Sequence, residues 1–181
     1  MTDPPTDHAR RAAAMAEDHP PRLAVLTVSD TRTVEDDESG DLIAQLGEAA
    51  GMYIAHRRLI PDDADAISAA VDAWLGDPQT DAILTTGGTG ISTRDTTIDI
   101  IEQRLDVVLE GFGELFRMLS WQEIGGAAML TRAIGGLTIR PTSTGGETFL
   151  FAMPGSTNAV RTAMDRLIAP QLPHLIWERR R

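Results

Sequence analysis

Residues Asp81–Asp95 read DAILTTGGTGISTRD, and the fold turns on how that stretch is parsed. Ala82-Ile83-Leu84 is a short apolar run that closes in Thr85 and Thr86; Gly87-Gly88-Thr89-Gly90 follows, and Arg94 and Asp95 lead into a helical period. The order is strand, glycine turn, charged loop, helix. Glycines in such a turn permit positive φ and leave backbone N–H groups open to an approaching anion such as a phosphate. Asp95 stands within one loop of that anion. A carboxylate is repelled there unless a cation lies between the two, so the pairing points to a magnesium–phosphate site. The stretch is not GxxxxGK[ST], since the chain contains no lysine, and GGTG is not GxGxxG. A tight strand-to-helix turn without a ligand fits the same letters.

Upstream, Leu23-Ala24-Val25-Leu26-Thr27-Val28 is a nearly continuous apolar run, as expected for a parallel strand covered on both faces, and it ends at Ser29-Asp30. An acidic loop, Glu35-Asp36-Asp37-Glu38, is expected to be solvated. Ser39 is then placed to cap a helix with Leu42, Ile43, Leu46 and Ala50 on one face, ended by Gly51. Met52 to Ile60 predicts a second strand, nearer the sheet edge for its mixed polarity, stopped by Pro61-Asp62-Asp63. Ile67, Ala70, Val71, Trp74 and Leu75 have the spacing of an amphipathic helix with Trp74 in the core.

Downstream, Thr96 or Thr97 starts a helix with Ile98, Ile101 and Leu105 inward, and Val107-Val108-Leu109 is extended. Glu110 to Arg132 predicts two helical segments with a close-packing point at Gly125-Gly126-Ala127-Ala128. Leu137 to Arg140 and Thr148 to Phe151 flank PTSTGGE and predict a β-hairpin. Ser156 or Thr157 caps a last long helix that Pro170 and Pro173 should break, leaving Arg179-Arg180-Arg181 as a solvated tail.

Strands alternating with helices predict an α/β fold, a three-layer αβα arrangement around a mostly parallel, Rossmann-like sheet, with the hairpin near 137–151. One domain is expected over 22–175, behind a mobile extension at 1–21 and ahead of a basic tail at 176–181. Four polar segments share one place in this pattern: Ser29-Asp30, Pro61-Asp62, Thr86 to Asp95, and Pro154-Gly155-Ser156. Right-handed βαβ units bring such strand ends to one edge. Three aspartates, a glycine cradle and a helix N-terminus suit magnesium-dependent phosphoryl or nucleotidyl transfer. Polar loops at strand ends are also what every α/β protein has.

Composition narrows the function classes. With 181 residues, 42% of them hydrophobic, the chain can bury a sizeable core, and with no cysteine it has neither disulfides nor thiolate sites. A formal charge of −11 argues against nucleic acid as partner. All sixteen basic residues are arginine, the side chain suited to bidentate phosphate recognition. His8, His19, His56 and His174 are too scattered to form a metal cluster. The apolar runs are too short for a membrane span and the N-terminus has no apolar signal core, so the expected location is cytoplasmic.

Taken in order and spacing, TVSDTR, IPDD, TTGGTG followed by RD, GFGELFRMLS, TRA and MPGS resemble the MoaB/MogA family of molybdenum cofactor biosynthesis, over about Arg22 to Pro173. GFGELFRMLSWQEIG and MPGST resemble the MoaB branch more than the MogA branch. The resemblance implies a molybdopterin-binding fold and, through the MogA branch, adenylylation of molybdopterin: ATP and molybdopterin give adenylyl-molybdopterin and pyrophosphate, with Mg²⁺. It assigns Asp62 and Asp95 as the essential carboxylates and as holders of Mg²⁺, and Thr86, Gly87, Gly88, Thr89 and Gly90 as phosphate or pterin binders. Ser29, Asp30, Glu114, Arg117, Ser120, Pro154, Gly155 and Ser156 are implied as further pocket wall. The family's usual proline after the RD-x-T step is Ile98 here, and the usual serine before its RA pair is Thr131. Some MoaB members lack the aspartate matching Asp62 and are suspected to be inactive; this chain has it. A non-catalytic molybdopterin-binding or scaffold protein is the alternative implied function. Either way the resemblance implies a homo-oligomer, trimer or hexamer, and other proteins of the pathway as further partners. Gly/Ala-rich Ile124 to Ala133 with Phe112, Phe116 and Trp121 offers contact surface for such an assembly, although core is the first expectation for the aromatics.

Overall fold

The computed structural model describes residues 15–139 and 146–180. Most of the expected N-terminal extension, and Arg140 with the PTSTG part of the hairpin turn, lie outside the described residues. Six strands form one sheet among them: β1 (Arg22–Val28), β2 (Tyr53–Ile60), β3 (Ala82–Thr86), β4 (Val107–Val108), β5 (Ile134–Ile139) and β6 (Glu147–Met153). Their order is β2-β1-β3-β6-β5-β4. The pairs β1–β2, β1–β3 and β3–β6 are parallel, whereas β5–β6 and β4–β5 are antiparallel. The expected hairpin is thus the β5–β6 pair, and β2, the strand of mixed polarity, lies at the edge.

Alternation along the strands builds the two flanking layers. Leu23, Val25, Leu84 and Phe151 point to one face, where they meet Ile43 of α1 (Glu38–Ala49), Phe112 and Phe116 of α4 (Glu110–Ile124), and Val160 of α5 (Thr157–Ala163). Ala24, Leu26, Ile83 and Leu150 point to the other, against Ile67, Val71 and Trp74 of α2 (Ala64–Leu75) and Ile98 and Ile101 of α3 (Thr97–Glu102). Each such fully buried aliphatic or aromatic side chain contributes about 1.5–3 kcal/mol. Trp74 is core as expected, with His56 stacked on its ring at 5.9 Å.

Several local expectations are corrected. The cap of α1 is Asp37, not Ser39, and Asp37 is 1% exposed instead of solvated. A buried carboxylate must be paired, and Asp37 accepts from Thr27 Oγ1, the Gly40 N–H and Arg57. Gly125 and Gly126 are not a packing point within the chain, because a Cβ on either would meet open space. Gly125, at φ +58°, instead lets the chain leave α4 for a 3-10 segment, Gly125–Leu130. Pro170 and Pro173 do not break the last helix: α5 passes through a π-helical stretch, Met164–Ile168, into α6 (Ala169–Arg180). Leu172 and Ile176 bury against the core and hold α6 helical despite the lost N–H donors. Arg179 and Arg180 belong to that helix and pair with Glu147 and Asp81, so they are not a free tail. Met15, just ahead of β1, packs on the core. No helix among the described residues is long and apolar enough to cross a membrane.

Candidate functional site

The parallel strands β1, β2, β3 and β6 all run toward the same edge, and the four polar strand-end segments meet there through specific bonds. The Ser29 N–H donates to Ile60 O at 2.9 Å, tying the end of β1 to that of β2. Asp30 then links two loops: its Oδ1 accepts the Asp62 N–H at 3.0 Å, and its Oδ2 pairs with Arg94 from the β3 loop. On the other side of β3, the Gly87 N–H donates to Met153 O at 3.2 Å and Thr86 Oγ1 to Pro154 O at 3.1 Å.

The glycine loop has its sequence because of what crowds it. Gly87 and Gly88 have φ of +95° and +60°, where side chains are disfavoured. A Cβ on Gly87 would also overlap Val28 O, and one on Gly88 would overlap Thr97 Oγ1 and lie 3.1 Å from Asp62 Oδ1. At Gly90 a Cβ would lie 2.8 Å from Asp95 Oδ2. Asp62 and Asp95 therefore approach the same four-residue loop. Asp95 is held by its own turn, with Oδ2 accepting the Ser92 N–H at 2.8 Å. Burial pushes the Asp62 carboxyl above the ordinary aspartate range, Asp95 and Asp30 push it the same way, and Arg94 opposes them. Asp62 Oδ1 is buried with no hydrogen-bond partner.

A cleft of about 410 Å³ opens over this loop, lined by Gly87 to Gly90, Asp95, Thr131, Pro154 and Gly155, with Ala127 and Leu130 on its far wall. Asp62 flanks it across Gly88. Two hollows of about 450 and 560 Å³ lie at the opposite edge of the sheet, but their Arg179 and Arg180 are already paired with Glu147 and Asp81.

Not every residue implied by resemblance reaches the cleft. Ser156 caps α5, its Oγ accepting the Ala159 N–H at 3.2 Å. Ser120 is buried in α4 and donates to Phe116 O at 2.8 Å. Glu114 lies exposed on α4 and is not part of the cleft wall. Arg117 lines a neighbouring groove of about 290 Å³ that shares Thr131 with the cleft. The structure adds three residues that strand-end reasoning passes over. Arg32 donates to Ser39 Oγ at 2.7 Å and to Gly155 O at 3.1 Å, fixing the Pro154–Ser156 turn. Arg132 donates to Gly90 O at 3.1 Å and to Asp99 at 3.0 Å, fixing the glycine loop. Thr97 closes the loop by its N–H to Gly88 O at 3.1 Å. Arg32 and Arg132 stand inside the TVSDTR and TRA strings, which was the available signal; bond partners far along the chain are invisible to spacing.

Among the described residues no three acidic or histidine side chains form a ready-made metal cage. A hard cation that keeps its waters and takes further oxygens from a phosphate needs only one or two carboxylates. Asp62, with one oxygen unpaired beside the glycine loop, and Asp95 fit that smaller demand.

Comparison with known proteins agrees with this architecture. The family model described as "Probable molybdopterin binding domain" matches residues 24–174. Molybdenum cofactor biosynthesis protein B of Bacillus cereus is 43% identical over 174 residues, covering 96% of both chains. The protein of the same name from Bacillus subtilis is 46% identical over 161 residues, 88% of this chain and 91% of its own. A crystal structure of a molybdenum cofactor biosynthesis protein B superposes with a TM-score of 0.82 at 45% identity, covering 89% of this chain and 97% of the other. The tungsten cofactor synthesizing protein MoaB from Pyrococcus furiosus gives 0.78 at 33% identity, over 88% and 97%.

Proposed function

Because the chain belongs to the molybdopterin-binding-domain family that includes the molybdenum cofactor biosynthesis proteins B, we propose that it adenylylates molybdopterin, with ATP as the second substrate. The observation that carries this reading is the convergence of two carboxylates on one glycine loop, Asp62 beside Gly88 and Asp95 beside Gly90. In this reaction a phosphate oxygen of molybdopterin attacks the α-phosphorus of ATP, one P–O bond forms, the α–β bridge breaks, and pyrophosphate leaves. The nucleophile is already an anion, so no side chain need become covalently attached. Catalysis then rests on positioning and charge neutralisation.

Each residue has a part in that work. Gly88 to Gly90 bring backbone donors close to phosphate, while the Gly87 N–H anchors the loop to Met153 O. Asp30, through the Asp62 N–H, fixes the loop that carries Asp62. Arg132 and Arg32 hold the glycine loop and the Gly155 turn at a set separation. Asp62 and Asp95 would hold Mg²⁺, which when bound offsets phosphate charge that three aspartates would otherwise repel. Pyrophosphate release by the purified protein with ATP, molybdopterin and Mg²⁺ tests the reading. Asp62→Ala and Asp95→Ala should each reduce it at least a hundredfold, in line with about 3 kcal/mol of lost transition-state stabilisation; full activity in both would refute their roles.

A non-catalytic molybdopterin carrier is the second reading. On its side, the arginines around the cleft, Arg32, Arg94 and Arg132, are all engaged by protein oxygens, leaving none of the three spare for a triphosphate. Tight pterin binding without ATP turnover would decide for it. Either reading goes with a cytoplasmic location, where ATP is available. We also propose a homo-oligomer. Leu115, Met118, Trp121 and Ile124 form an exposed stripe on α4, continued by Met129 and Leu130, and an apolar patch of this kind marks a contact surface.

A further inference from the structure

Among the described residues three buried side-chain oxygens have no hydrogen-bond partner, and they are Asp62 Oδ1, Thr96 Oγ1 and Thr97 Oγ1. Thr97 is 0% exposed. An unpaired hydroxyl at such depth costs roughly 1–3 kcal/mol, so its retention calls for a reason. Its backbone is fixed by the N–H bond to Gly88 O, while the hydroxyl does no capping for α3, whose cap residue is Thr96. Thr97 Oγ1 and Asp62 Oδ1 instead press on the same side of Gly88, in the space that a Cβ there would fill. The absent side chain of Gly88 is what leaves room for both oxygens beside the loop.

We propose that Thr97 is a positioning residue for Asp62: its hydroxyl donates to Oδ1 when the cleft is loaded, and so turns Oδ2 toward the metal-bound phosphates. A threonine hydroxyl suits this better than water does, because χ1 of a β-branched residue on a helix has few alternatives. The role in turnover rests on the adenylyltransferase reading; the pairing of the two side chains does not.

Thr97→Val removes the hydroxyl while keeping the shape, and Thr97→Ser restores it. In the pyrophosphate assay the valine variant should lose about tenfold or more in kcat, as loss of a bond to a charged group implies, with KM for molybdopterin unchanged. The serine variant should stay within about twofold of the original protein. A thermal-melting cycle over Thr97→Val, Asp62→Ala and the double variant, run with molybdopterin and Mg²⁺ present so that the cleft is loaded, should be non-additive, as for residues in contact. Undiminished kcat in Thr97→Val, or additive melting shifts, overturns the proposal. If the unaltered protein releases no pyrophosphate, the adenylyltransferase reading falls by itself, and the melting cycle still decides the pairing. Should the valine variant fail to fold, Thr97→Ala takes its place in both measurements.

Discussion

At Gly87 two demands coincide: φ is +95°, and a Cβ would run into Val28 O. Strain at positive φ and overpacking each amount to about 1–3 kcal/mol, so Gly87→Ala should destabilise the protein by roughly 3 kcal/mol. Thermal melting would register that as a fall on the order of 6–12 °C for a domain of this size. Gly111, in the first turn of α4 with open space where a Cβ would stand, gives the contrast: Gly111→Ala should be neutral or stabilising by about 0.5–1 kcal/mol. Equal losses in the two variants would contradict the crowding at the glycine loop. The GGTG string was legible as a place where backbone must come close to something. Which atoms come close was not, because Val28, Asp62 and Thr97 reach the loop from three different segments.

At the scale of elements, ion pairs stitch the layers at positions that spacing does not mark. Arg104, following α3, is bonded to Asp72 of α2 at 2.7 and 2.8 Å. This bonding holds the Asp72 carboxyl below the ordinary aspartate range, as His56 and the Gln79 N–H do for Asp77 and as Arg179 does for Glu147. A carboxylate depressed on folding contributes stability that is present above its unfolded pKa, and that contribution is lost as pH falls through the folded value. Melting temperature should therefore hold steady down to about pH 5 and fall below about pH 4, where ordinary carboxylates titrate. Arg104→Ala should lower it at neutral pH and shrink the acid-induced drop; a drop of unchanged size would remove Asp72 from the account. Strands β1, β3 and β6, helix α2 and the Ser156 cap could be read from apolar period and end signals alone. The start of α1 and the run of α6 through two prolines could not. In one a buried Asp37 displaces the expected Ser39 cap, and in the other the packing of Leu172 and Ile176 outweighs the local helix breakers.

For the whole molecule, the exposed stripe on α4 gives a test of assembly. Trp121 is 64% exposed and Met129 85% exposed, while Phe112 and Phe116, the other aromatics with a claim to the surface, are buried in the core. An interface of standard size covers about 800 Å² on each partner, so a charge at its centre should break it. Light scattering is expected to show Trp121→Glu as a monomer and the unaltered chain as an oligomer; a monomer in both would assign the stripe another role. The central claim is that carboxylates from two distant loops and one glycine turn form a single seat for a metal-bound nucleotide. Anomalous diffraction from a crystal soaked with Mn²⁺ and ATP tests it most directly. The account predicts a manganese peak in contact with Asp62, Asp95 or both, with phosphate density over Gly87 to Gly90; a manganese peak and nucleotide located together at another face would contradict it.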